Sequence, residues 1–210
     1  MGLQETSIIF QNIRHRHYYL CDYLPLTSGI DPVSRSLLKF KRGVQPDLDN
    51  WLSKTRCALH TKPLTLPPDT IIIRALHHKE TRAAQDRPST LDLLGQTLSG
   101  HFHFPYHPQL LHKTRPTNTV QGLTRRQRQA ELQDVYQVNL PVTINITTNL
   151  PAAAPPTSLL LIDDILTTGT TIRMIIKTLH STLPNSTITI FTLAKVATAH
   201  PHPIPDWLLI

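Results

Sequence analysis

The chain has 210 residues, a formal net charge of +7, 18 prolines, 7 glycines and only 2 cysteines. That length suffices for one sizeable hydrophobic core with a small appendage, and the positive charge favours an anionic partner such as a nucleotide, a phosphate or a nucleic acid. Cys21 and Cys57 form no CxxC pair, which argues against a zinc module and a disulfide framework; no long apolar run or basic-then-apolar leader is present, so a soluble, cytoplasmic protein with no membrane partner is expected.

Residues 1 to 30 are mixed and aromatic, densest at HRHYYLCDYL. DPVSRSLLKFKRG predicts a short helix that Asp31 caps, Pro32 opens and Gly43 stops. Residues 47 to 60 predict a second helix, with Leu48, Trp51, Leu52 and Leu59 on roughly one side. The prolines of KPLTLPPD then mark a boundary near residue 68, between an amino-terminal hood or accessory region, 1–68, and an α/β domain, 69–210.

Beyond that boundary DTIIIRAL reads as a strand covered on both faces, HHKETRAAQDRP as a charged loop, and STLDLLGQTLSG as a helix capped by Ser89. HFHFPYHPQLLHK reads as extended, and LTRRQRQAELQDVY as a helix with Thr124 as its cap. NLPVTINITTNLPAAAPPT holds a strand and a proline-rich loop. SLLLID, TTIRMIIKTLHSTL and STITIFTLAKV complete a strand–helix–strand run. This alternation indicates an α/β fold with a mainly parallel central sheet flanked by helices. Ligands of such sheets lie beyond the carboxyl ends of the strands, and the loops after Leu76 and Ile162 both leave from that edge.

LLLIDDILTTGTT, residues 159–171, carries the clearest chemistry. Asp163 and Asp164 end an apolar run, and adjacent carboxylates repel unless a sugar diol or a hydrated magnesium ion lies beside them. Thr167, Thr168, Gly169, Thr170 and Thr171 then turn into a helix expected to begin near Ile172. Free amides, hydroxyls and the positive helix end suit a phosphate there, and Gly169 permits close approach or a positive φ. Capping alone would explain one acid and one or two threonines. The stretch is neither a Walker loop nor a GxGxxG fingerprint.

The same 13 residues resemble the phosphoribosyl-diphosphate motif of type I phosphoribosyltransferases. The resemblance implies that fold, magnesium as cofactor, and phosphoribosyl diphosphate or another phosphorylated ribose as ligand. It makes Asp163 and Asp164 the catalytic, ribose-binding and magnesium-binding pair, and Thr167–Thr171 the 5′-phosphate loop. The leaving pyrophosphate would need cations, which His77, Lys79, Arg82 and Arg87 supply at the same sheet edge, with Glu80 pairing one cation of its loop. SLLKFKRG, IIIRALHHKE and LHKTRPTNTVQGLTRRQRQAELQDVY are similar in order to segments of ComF-like proteins, associated with competence and DNA uptake. Ile73, Arg74 and Ala75 stand where those relatives carry prolines. The alternative reading is therefore a DNA-uptake accessory protein, with Arg115, Arg125, Arg126 and Arg128 against single-stranded DNA and Tyr18, Tyr19 and Phe40 as stacking platforms. The 12 histidines show no metal-ligand spacing and read as scattered loop residues. The apolar tail PHPIPDWLLI could pack on the domain or on a second subunit in a homodimer.

Overall fold

The computed structural model describes residues 3–25, 31–84, 86–118, 123–139 and 158–197. In chain order the elements are β1 (Gln4–Phe10), β2 (Ile13–Tyr23), α1 (Pro32–Lys41), α2 (Asp47–Thr61), β3 (Thr70–Arg74), α3 (Thr90–Phe102), β4 (Leu111–Lys113), α4 (Arg125–Leu132), β5 (Tyr136–Val138), β6 (Ser158–Leu166), α5 (Thr170–Thr182) and β7 (Thr187–Val196). The central sheet has the order β1-β2-β7-β6-β3, while β4 and β5 form a separate antiparallel pair. β2, β7, β6 and β3 run parallel, and β1 lies antiparallel at the edge. The α/β architecture with a mainly parallel sheet is as expected. Of the strand and loop read over 139–157, all but Asn139 lie outside the described residues, as does the carboxyl tail. No helix among the described residues is long and apolar enough to cross a membrane.

Two apolar layers enclose the sheet, which is why β3 and the first part of β6 read as short apolar runs. Side chains alternate between faces along a strand. Ile72, Leu160, Ile162, Phe191 and Leu193 accordingly join one core with Leu37, Phe40, Trp51 and Leu94 of α1, α2 and α3. Ile71, Ile73, Leu159, Leu161, Ile188 and Ile190 join the other, under Ile172, Ile176 and Leu179 of α5. Each fully buried Leu or Ile is worth about 1.5–3 kcal/mol over its exposed state.

The helix ends follow the expected chemistry. Asp31 accepts from the amides of Val33 (3.4 Å) and Ser34 (2.7 Å) at the start of α1, and Gly43 follows its end at φ 72°. Ser89 and Asp92 form a reciprocal capping box on α3, as Thr124 and Gln127 do on α4. α4 is shorter than expected: it stops at Leu132, and Asp134 takes a positive φ of 52° before β5 begins.

The amino-terminal segment departs furthest from expectation. β2 supplies an inner strand beside β7, so residues on both sides of position 68 share one sheet and one core. Its histidines are the reason its pattern is hard to read. His15 and His17 are buried strand residues rather than loop residues. His15 Nδ1 donates to the Ile188 carbonyl (3.3 Å). The Thr192 hydroxyl donates to the Ala194 carbonyl (2.9 Å), so the 2.8 Å contact with His17 Nε2 must be a donation from the ring. Burial, seconded by the Lys195 charge, pushes the His17 pKa down to about 3, so the ring sits in the core as a neutral group. Tyr18, Tyr19 and Phe40 are buried as well, which removes them as platforms for nucleic-acid bases.

Candidate functional site at the carboxyl edge of the sheet

β6 continues past both aspartates, pairing Ile165 with Ala194 and Leu166 with Lys195. The acids therefore lie inside the strand rather than at its end. Adjacent strand residues face opposite layers. Asp163 lines the depression formed by Thr167–Thr171, whereas Asp164 is buried and its Oδ2 meets Lys41 Nζ of α1 at 2.8 Å. Asp163 Oδ1 accepts from the Asp164 amide (2.9 Å), and Asp164 Oδ1 from the Ile165 amide (2.7 Å). Burial, reinforced by the Asp164 charge, raises the Asp163 pKa to about 7 against the opposing pull of Lys41 and Lys113. Burial disfavours the Lys41 ammonium, but the Asp164 charge and hydrogen bond outweigh it and hold the Lys41 pKa above the ordinary lysine value.

The threonine loop turns sharply under the amino terminus of α5. Gly169 caps the helix at φ 71°, a left-handed conformation that glycine adopts without strain. The helix begins at Thr170, two residues earlier than expected. Thr168 and Thr170 place their hydroxyls 3.0 Å apart. Two guanidinium groups flank them. Arg173 Nη1 donates to the Thr168 carbonyl (2.8 Å), and Arg128 Nη1 donates to the Thr168 hydroxyl (3.3 Å) while its Nε holds the Leu123 carbonyl (2.8 Å). Arg173 was not among the candidate residues. Its position four residues after Gly169, one helical turn on, is the signal that could have found it.

The loop after β3 is braced from below. Arg74 is fully buried; its Nε donates to Asp92 Oδ1 (2.6 Å), and its two terminal nitrogens grip Glu80 at 2.8 and 3.0 Å. Glu80 Oε2 also accepts from the His77 amide (2.6 Å). The expected partner of Glu80 within its own loop is thus replaced by Arg74, a guanidinium that could not stay buried without carboxylates. Asp92 is shared with the Tyr106 hydroxyl (2.7 Å) and with Ser89.

Lys113 of β4 is a second buried cation. Its Nζ donates to the His77 carbonyl (2.8 Å) and lies 5.4 Å from the centre of the Tyr136 ring. Desolvation lowers its pKa to about 8. His77 is exposed, packs on His78, and has its pKa lowered by burial first and then by His78 and Lys41. Lys79, Arg82 and Arg87 are exposed and make no ion pair among the described residues.

The remaining arginines lie on or against α4. Arg115 is engaged by Glu131 (3.1 Å), Arg126 is exposed, and the Arg125 side chain lies outside the described residues. Arg128 belongs to the threonine loop. Among the described residues no group of three or more His, Cys, Asp or Glu side chains is arranged as a metal centre.

These features define a mixed α/β protein with a carboxylate pair and a threonine loop at the carboxyl edge of a parallel sheet. No protein-family model matches the chain. It is 28% identical over 156 residues to competence protein F of Haemophilus influenzae, an alignment covering 72% of this chain and 63% of that protein. The chain thus matches less than two thirds of that relative's length, and the distant similarity supports a ComF-like assignment.

Proposed function

We propose that the chain has a type I phosphoribosyltransferase fold and binds phosphoribosyl diphosphate with magnesium across the end of β6. The observation that carries this reading is the succession Asp163, Asp164, threonine loop, with the Arg128 and Arg173 guanidinium groups at Thr168. Thr167–Thr171 would hold the 5′-phosphate through hydroxyls and helix-end amides. Asp163 and Asp164 would accept hydrogen bonds from the ribose hydroxyls. Burial, and after it the charge of the adjacent Asp164, raises the Asp163 pKa; a cation would favour the ionised form of both acids, so the pair also fits a hydrated magnesium ion. Magnesium, when bound, would neutralise the diphosphate. His77, with Lys79, Arg82 and Arg87 from the same loop, would line the path of the leaving group.

A nitrogen acceptor attacking C1 would release pyrophosphate through a transition state with oxocarbenium character. That chemistry asks the protein to position both phosphate ends and stabilise charge, not to supply a nucleophile. Parts of the amino-terminal 68 residues outside the central sheet would act as the hood that selects the acceptor.

Calorimetric titration with phosphoribosyl diphosphate and magnesium tests the binding, beside a double variant Asp163→Asn, Asp164→Asn. Micromolar affinity lost in the variant is expected; a folded wild type that does not bind refutes it. Release of pyrophosphate on adding nitrogen acceptors separates a transferase from a binder.

The relative's name favours a second reading, a competence-related role, and the chain's net charge of +7 makes single-stranded DNA the ligand we propose for it. Salt-dependent binding of an oligonucleotide, weakened by changing Arg125 and Arg126, is its expected signature.

A further inference from the structure

We infer that Lys41, at the end of α1, is a diphosphate-binding residue of this site, an inference that rests on the ligand reading above. Its ammonium meets Asp164 Oδ2 at 2.8 Å and makes no other polar contact among the described residues. An ammonium carries three donors. Its side chain is 40% exposed, so donors not taken by Asp164 are accessible to a ligand.

The two faces of β6 give the direction. Asp163 looks onto the threonine loop on the α5 side, and Asp164 onto Lys41 on the α1 side. A ribose whose 5′-phosphate sits in the threonine loop and whose hydroxyls reach both acids spans the strand end. The substituent on C1, at the opposite end of the sugar from the 5′-phosphate, is then carried towards the α1 layer. Lys41 is the cation that stands there in contact with the carboxylate pair. Lys113 is not equivalent, because its buried ammonium is committed to the His77 carbonyl and Thr117. Lys41 and Asp164 together offer the ligand one cation and one acceptor, which suits a sugar bearing a 1-diphosphate better than a sugar monophosphate.

The test compares affinities for phosphoribosyl diphosphate, ribose 5-phosphate and inorganic pyrophosphate, at constant magnesium, in wild type, Lys41→Met and Lys41→Arg. Circular dichroism and thermal melts establish that each variant is folded. Charge-assisted hydrogen bonds to a phosphate oxygen set the expected loss at about tenfold to a hundredfold for phosphoribosyl diphosphate and pyrophosphate in Lys41→Met. Ribose 5-phosphate should change by less than about threefold, and Lys41→Arg should recover most of the diphosphate affinity. Equal losses for all three ligands, or no loss for any, would overturn the assignment while leaving the parent reading intact. Failure of the wild type to bind either sugar phosphate removes the parent reading, and this assignment with it.

Discussion

Replacing Arg74 by methionine is the sharpest test of how the loop after β3 is held. The guanidinium is fully buried and makes charged contacts of 2.6, 2.8 and 3.0 Å to Asp92 and Glu80, plus a 3.0 Å donation to the Ala75 carbonyl. Methionine fills much of the volume but leaves two carboxylates without their cation. Asp92 keeps Ser89 and Tyr106, so the uncompensated charge falls chiefly on Glu80. Removing one partner of a buried pair costs about 3–5 kcal/mol. For a chain of this size each kcal/mol moves the melting temperature by about 2–4 °C, so a fall of about 6–20 °C is expected. Urea unfolding gives the free energy directly, and Arg74→Lys should lie between the two, since lysine keeps the charge but not the two-pronged grip. A loss below about 1 kcal/mol, the ordinary worth of an exposed pair, would refute the claim that this network fixes the His77–Glu80 turn.

Asp163→Asn should melt higher than wild type at pH 8 and equally at pH 4. A carboxyl raised to about 7 contributes stability below its unfolded pKa and loses it as pH rises through that window, so the difference should open between about 4 and 7 in ligand-free protein. His17 works in the opposite sense. Its pKa is lowered to about 3, so its contribution is complete above about 6.5 and lost as pH falls; His17→Phe should flatten the acid side of a melting-temperature profile. Gly95→Ala should destabilise by about 1–3 kcal/mol in urea unfolding despite better helix propensity, because a Cβ there overlaps the Tyr106 ring. Arg128→Gln and Arg173→Gln should each weaken ribose 5-phosphate binding about tenfold by calorimetry, a loss expected from removing one charged hydrogen bond to phosphate.

Most of the sheet was legible because burial on both faces gives β3 and β6 short apolar runs and fills β7 with Ile, Phe and Leu between threonines, while Asp31, Ser89 and Thr124 announce their helices. β1 and β2 were not legible. The inner strand β2 spends buried positions on His15, His17 and Tyr19, whose polar atoms look like surface until their partners on β7 are known. The short β4–β5 pair was hidden for a different reason. Three-residue strands carry no period, and Lys113, which reads as solvent-facing, is in fact buried against Tyr136. At the site, the acids and threonines declared themselves by composition. Arg74, Lys41 and Arg173 did not, because a basic residue in sequence, alone or in a cluster such as Lys39, Lys41 and Arg42, gives no sign of which carboxylate or carbonyl it will meet.

The alternation of β6 ties these misses together. Two adjacent acids within a strand cannot share a face, so any ligand touching both must reach around β6, whose pairing with β3 stops at Ile162, between the two helical layers. One layer brings Thr168 and Arg128 into the depression lined by Asp163, with Arg173 holding the Thr168 carbonyl; the other brings Lys41 to Asp164. The amino-terminal helices thus contribute to the proposed site. α1 sits in the same core as Ile162, and its last residue, Lys41, makes the ion pair with Asp164. A division near residue 68 marks a change of sequence pattern, while the chemistry proposed for the strand end draws on residues from both sides of it.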